Sequence, residues 1–273
     1  NHASIPAGDT GTDTLMVIYG DANDGVQGDG ITGASASSAS YPVQTPTAFV
    51  AGDNVVAIPD PAVVPCAPNM MRVLNNGTAG TPNITMTSNV TSMPTSGGVL
   101  FNLGPSPKAF VYAIRNSNLT LCRFINIDRT TGVDGGSDCT DASRTGDATV
   151  WVPVANNIVS LRAEYGHDVS AAVATQSPLT GYLPMPVVNT FDQVTPVGSC
   201  ALSRTPAVRL ALVARAGQYE KDAVTTAVPV WAGSGSAPVD LSSNADWQHY
   251  RYKVFQNFIS MRNAGWMGVN IGC

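Results

Sequence analysis

The sequence predicts a mainly β chain, α+β at most, built on an antiparallel sheet with long decorated loops. Three observations carry that expectation. Charged residues make up 12% of the 273 positions, about half the usual share of a soluble domain. Twenty-six glycines and 19 prolines punctuate the chain, so turns are many and long helices few. The apolar runs that remain are short, and most of them alternate with period two.

Each run gives one element. Thr14–Gly20 (TLMVIYG) is apolar on both faces and predicts a central strand. Thr47–Val56 holds a short apolar run broken by Gly52-Asp53-Asn54. Phe110–Arg115 and Leu119–Ile127 flank Asn116-Ser117-Asn118, the pattern of a hairpin. In Ile158–Tyr165 the alternation places Val159, Leu161, Ala163 and Tyr165 inward, with Ser160, Arg162 and Glu164 outward. Ala207–Arg215 sets Val208, Leu210, Leu212 and Ala214 on one face and Arg209 and Arg215 on the other. Tyr250–Ile259 fits both helical and strand periods; its aromatic and β-branched content favours a strand. Val169–Ser177 has the composition of a short helix. Between these runs lie Asp21–Tyr41, Asn75–Gly98, Asp128–Asp147 and Val230–Asn244, longer loops than a compact domain carries without cause. A single sheet is the simplest arrangement.

Function classes narrow by composition. With three lysines (Lys108, Lys221, Lys253) and a net charge of −5, the chain lacks a phosphate-binding footprint, and no nucleic-acid partner is expected. No apolar run approaches the ~18–20 residues needed to span a bilayer. The opening Asn1-His2-Ala3-Ser4-Ile5-Pro6 resembles neither a signal peptide nor a translation start. Five cysteines at 66, 122, 139, 200 and 273 form no zinc spacing. Their spread reads as disulfides in an oxidising compartment, and the odd count leaves one without a partner.

Catalytic and metal chemistry find little support. The histidines are His2, His167 and His249. His167 beside Asp168 has the form of a general base, but its place after Glu164-Tyr165-Gly166 reads first as an exposed turn. No nucleophile elbow, P-loop or zincin motif occurs, so no enzyme activity and no cofactor are expected. Calcium candidates are Asp21, Asn23, Asp24 and Asp29 in one loop, and Asp134, Asp138, Asp141 and Asp147 in another. Neither loop follows the EF-hand order, and Asp, Asn and Gly are also the ordinary turn residues. Four N-x-T triplets, at Asn76, Asn83, Asn89 and Asn118, match the glycosylation acceptor pattern, which arises readily in a Thr- and Asn-rich chain and matters only in a eukaryotic secretory setting.

Three segments carry a resemblance. Trp247-Gln248-His249-Tyr250-Arg251-Tyr252-Lys253-Val254-Phe255 is followed by Arg262-Asn263 and Trp266. Val208–Arg215 runs on through Gln218-Tyr219-Glu220-Lys221. Asp13-Thr14-Leu15 with Tyr19-Gly20, and Ser160-Leu161 with Glu164-Tyr165-Gly166, complete the set. Together they resemble the PilW family of type IV pilus minor pilins.

That resemblance implies a single pilin-like headpiece over residues 1–273, lacking the family's long apolar N-terminal helix. It implies a disulfide set of Cys122 with Cys139 and Cys200 with Cys273, leaving Cys66 for a cysteine after the helix. It implies a non-enzymatic bacterial subunit that helps to initiate pilus assembly in a tip-associated complex, supporting adhesion and twitching motility. Partners would be other minor pilins, the major pilin and a tip adhesin, with membrane contact only through the helix. The location would be inner membrane and periplasm before assembly, then the extracellular pilus. Rival readings are a J-type pseudopilin of type II secretion, a stand-alone secreted adhesive or carbohydrate-binding β-domain, and a calcium-dependent β-hydrolase. Aromatic residues at 247, 250, 252, 255 and 258 read first as sheet packing.

Overall fold

The structure is a computed structural model. It describes residues 5–22, 28–33, 39–58, 70–80, 83–87, 99–172, 185–196, 198–261 and 269. In chain order the strands are β1 (Leu15–Tyr19), β2 (Asp29–Gly30), β3 (Ser40–Pro42), β4 (Asn54–Ile58), β5 (Met70–Arg72), β6 (Asn83–Thr85) and β7 (Val99–Gly104). They continue as β8 (Lys108–Arg115), β9 (Asn118–Asn126), β10 (Val152–Asn156), β11 (Ile158–His167), β12 (Thr190–Asp192), β13 (Ala207–Arg215) and β14 (Tyr252–Ser260). A six-residue helix, α1 (Gly198–Ser203), precedes β13. No helix among the described residues is long and apolar enough to cross a membrane.

The fold is mainly β, and the described strand pairs are antiparallel. The single-sheet expectation fails. The sheets run β1-β8-β9-β10, β12-β11-β13-β14, β2-β7-β4-β5 and β3-β6. By contact the chain gathers into two compact units, one of residues 1–17, 110–124 and 137–273, the other of 18–109 and 125–136. The chain passes between them four times, so no composition shift marks a boundary. The second unit builds its core from Tyr41, Phe49, Val55, Met71, Ile84, Met86 and Leu100. Short strands from the stretches expected to be loops supply several of these, because period-two runs of three residues fall below what pattern reading resolves.

The first unit has two cores. Val111, Ala113, Cys122, Cys139, Val150 and Trp151 form one, and the Arg115 guanidinium lies 3.9 Å over the Trp151 ring. Ala211, Val213, Trp231, Ala237, Val239 and Leu241 form the other, so much of Val230–Asn244 is packed interior rather than decoration.

The β8–β9 hairpin closes through Asn116 and Ser117, at φ 51° and 58°. Two consecutive positive φ values are the type I′ geometry that matches strand twist, and Asn118 belongs to β9. Asp9 holds this turn, its carboxylate accepting from the N–H groups of Asn116 (3.0 Å) and Ser117 (2.8 Å). β1 was expected to be central but lies at a sheet edge, with Val17, Ile18 and Tyr19 exposed. Val169–Ala172 is not helical, and the rest of that expected helix lies outside the described residues. Tyr250–Ile259 carries strand β14, as its aromatic and β-branched content predicts, and a 3-10 turn at Trp247–His249 precedes it.

Candidate functional site

The polar face of β11 is turned inward, opposite to the expectation. Ser160, Arg162 and Glu164 are buried, Glu164 to 1% exposure, whereas of the apolar set only Leu161 is. Buried charge is tolerated when every polar atom finds a partner, and here they come from distant segments. Arg162 Nη1 donates to the Asp13 carboxylate (2.9 Å) and the Gly11 carbonyl (3.2 Å), and its Nε to the Ala237 carbonyl (3.4 Å). Asp13 also accepts from Ala163 N and Gln193 Nε2, both at 2.8 Å. Burial pushes the Asp13 carboxyl above its ordinary range, and the bonds from Ala163, Arg162 and Gln193 partly offset this. Glu164 accepts from Arg209 Nε and from the Ser236 hydroxyl. The Arg209 guanidinium lies 4.2 Å over Phe191 and 5.5 Å from the Trp231 ring.

With its polar side committed inward, the same sheet turns Leu161, Leu210, Leu212, Phe255 and Ile259 to an open trough of about 470 Å³, to which Leu15 and Leu119 of the β1-β8-β9-β10 sheet also contribute. Phe255 is 51% exposed and Ile259 45%. Apart from Tyr112, Gln256 and Asn257 its lining is leucine, isoleucine and phenylalanine, so what it can receive is a mainly apolar surface.

The two long segments singled out in the sequence interlock. β13 and β14 pair over nine residues, from Ala207 with Ser260 to Arg215 with Tyr252. Beyond the ladder, the Tyr219 ring stacks on His249 at 5.0 Å and meets Tyr250 edge-on at 5.6 Å. The Arg215 guanidinium sits 4.7 Å over Tyr250. Arg251 Nε donates to Glu220 at 3.3 Å, and His249 Nδ1 lies 2.9 Å from the Glu220 carbonyl. Trp247, Tyr252 and Val254 pack on the Trp231 core, and the Tyr252 hydroxyl donates to the Trp247 carbonyl. Burial raises the pKa of Tyr252, with Arg215 opposing. Lys253 and Phe255 face solvent, the ammonium 5.2 Å from the ring. Arg262, Asn263 and Trp266 lie outside the described residues.

The acidic loops use their carboxylates locally. Asp134 accepts from Asn126 N and Gly136 N. Asp138 is held by Thr140, Asp141 by Ser143, and Asp147 by Thr149 and Arg144. The Thr140 hydroxyl lowers the Asp138 pKa, and the Thr149 hydroxyl with Arg144 holds Asp147 down at about 2. Asp21 accepts from Ser106 N and Asp29 from Thr45 N, while Asn23 and Asp24 lie outside the described residues. No group of three or more His, Cys, Asp or Glu side chains converges among the described residues.

His167 is not an exposed turn residue. It closes β11 with a side chain 15% exposed, and its Nε2 lies 3.2 Å from Asp192 rather than pairing with Asp168. Asp168 pairs with Arg204 at 3.4 Å. Thr205 Oγ1 stands 3.1 Å from His167 Nδ1, which gives the outline of a hydroxyl–imidazole–carboxylate relay. Thr205 is buried and its hydroxyl donates to the Ala201 carbonyl at 2.7 Å, so the group is packing and not a nucleophile. Cys122 and Cys139 form a disulfide with Cα atoms 5.9 Å apart. Cys200 is also disulfide-bonded, and Cys66 and Cys273 lie outside the described residues.

Comparison with known proteins bears on this geometry. The family model described as type IV pilus-assembly protein W matches residues 130–263. Among solved structures, a type IV-like pilin from Thermus thermophilus aligns over 79% of this chain and 86% of that one, with 10% identity and a TM-score of 0.28. A likeness that low carries no weight for the fold. Comparison with curated proteins finds no match. The family match takes in β11, β13 and β14 and both interlocked segments. Over residues 130–263, then, this chain matches the PilW family of type IV pilus-assembly proteins.

Proposed function

We propose that residues 1–273 are the headpiece of a minor pilin that takes part in initiating type IV pilus assembly. In this reading it joins other minor pilins and the major pilin in a tip-associated complex, and so supports adhesion and twitching motility. It passes from the inner membrane and periplasm to the extracellular filament.

The observation that carries the proposal is the apolar trough of Leu161, Leu210, Leu212, Phe255 and Ile259, set on the sheet where the family match lies. A sheet face of that composition is completed by a second layer, and a helix with one apolar side is the usual one. The apolar N-terminal helix implied by the PilW resemblance is the natural occupant. The buried Arg162 and Glu164 on the opposite side keep the face rigid for such packing.

The test is a chromosomal Leu210→Glu/Leu212→Glu variant of the full-length gene. Loss of surface pili and twitching, with type II secretion intact and the purified headpiece still folded, supports the reading. Normal piliation overturns it. Loss of secretion with pili intact assigns the chain to the type II pseudopilins instead.

A further inference from the structure

Strand β14 ends its sheet: the order is β12-β11-β13-β14, so one side of β14 pairs with β13 and the other has no partner among the described residues. Protected sheet edges are short, bulged, proline-bearing or charged. β14 is nine residues long with no proline, and its pairing to β13 runs without a register shift. Its one charge is Lys253, near the beginning. Phe255, Phe258 and Ile259 are 51%, 52% and 45% exposed. An edge of this kind presents backbone donors and acceptors that an extended strand completes. The Phe258 N–H donates locally to Asn257 Oδ1 at 2.9 Å, and an incoming strand would have to replace that bond.

The sequence of the strand says which strand fits. Antiparallel pairing about a two-fold axis at Asn257 sets Phe255 against Ile259 of a second copy, twice, on the trough side. On the other side Val254 meets Ser260, and Gln256 meets Phe258. Lys253 falls opposite Met261, far from its own symmetry mate, so no like charges face each other. Moving the axis to Gln256 puts Phe255 opposite Asn257 and Ile259 opposite Lys253. Moving it to Phe255 puts Ile259 opposite Arg251. Cross-strand pairs set the energy of such a ladder, so the Asn257 register is the favoured one. We infer that β14 is a self-pairing edge through which two copies of this chain form a two-fold dimer, joining their apolar troughs across Asn257. An isologous contact of this type closes on itself and does not propagate. The inference rests on the sheet and its edge, not on the pilus assignment.

Light scattering and sedimentation on the purified protein give the first measurement: the dimer fraction rises with concentration. Asn257→Lys places two ammonium groups on the axis and weakens dimerisation about fivefold, while its exposed position leaves the fold intact. Asn257→Cys cross-links to itself under mild oxidation, because residues opposite each other have Cα atoms about 4.5–5.5 Å apart. Tyr252→Cys, five residues from the axis, does not. A monomer at every concentration overturns the inference. So does a dimer that Asn257→Lys leaves unchanged, or equal cross-linking of the two cysteine variants. Slow exchange of all β14 amides in a monomer also overturns it, since the edge is then already paired within the chain.

Discussion

Arg209 donates through Nε to the carboxylate of Glu164, which is buried to 1% exposure, and its guanidinium is clasped between Phe191 and Trp231. This one pair ties β11, β12 and β13 to the segment that carries Trp231. It also settles which face of the sheet is interior. Removing one partner of a buried ion pair leaves the other uncompensated. Glu164→Ala therefore destabilises the protein by about 3 kcal/mol, toward the low end because the Arg209 side chain is 21% exposed. Glu164→Leu/Arg209→Met recovers most of that loss. Urea denaturation of the three proteins checks both statements, and equal losses in the single and double variants would count against the pair.

The Asn116–Ser117 turn carries a serine at φ 58°, a backbone region that costs a side-chain-bearing residue about 1 kcal/mol. Ser117→Gly removes that cost and keeps the N–H that Asp9 accepts. The variant is expected to be more stable by up to about 1 kcal/mol, read as a shift in denaturation midpoint without a change in slope.

Reduction acts on the loop closed by Cys122 and Cys139, 17 residues apart in sequence. Loop-closure entropy for that length gives about 3 kcal/mol. Thermal unfolding of a Cys122→Ala/Cys139→Ala variant, which leaves the Cys200 bridge in place, measures this contribution alone. A melting temperature equal to that of the parent protein would contradict it.

Acid affects two groups in opposite directions. Asp147 is held at about 2 by the Thr149 hydroxyl and Arg144, so its contribution is present above the unfolded carboxyl value near 3.9 and lost as pH falls through about 2. Asp13 is raised by burial, so its contribution is full below that unfolded value and declines as pH rises through its shifted one. Carboxyl carbon titrations by NMR should order the two groups with Asp147 below Asp13. The reverse order would refute the burial argument at Asp13.

Interlocking of the two long segments predicts that Tyr250→Ala acts on stability. It removes the Arg215 contact and the Tyr219 edge contact, together worth about 1–2 kcal/mol. Denaturant titration checks the magnitude, and an unchanged midpoint would show that Tyr250 is not a packing residue.

The sequence by itself determined the β class, the hairpin, the longer strands and the family of the C-terminal half. Each of these is local: period-two runs, a two-residue turn or a continuous motif. It also named the residues of the two segments without showing that Tyr219 and His249, or Glu220 and Arg251, meet. Only the tertiary structure decided that β11 buries Ser160, Arg162 and Glu164. Alternation reports that two faces differ, and polarity ordinarily says which is inside, but partners of Arg162 and Glu164 that lie 31 to 151 residues away reversed that rule here. The same holds for the trough, since Leu210 and Leu212, which look like core in the sequence, are only half-buried, and Phe255 and Ile259 beside them are exposed. Apolar residues go inside only where another layer covers them, and which face is covered is a property of the assembled chain rather than of any single strand.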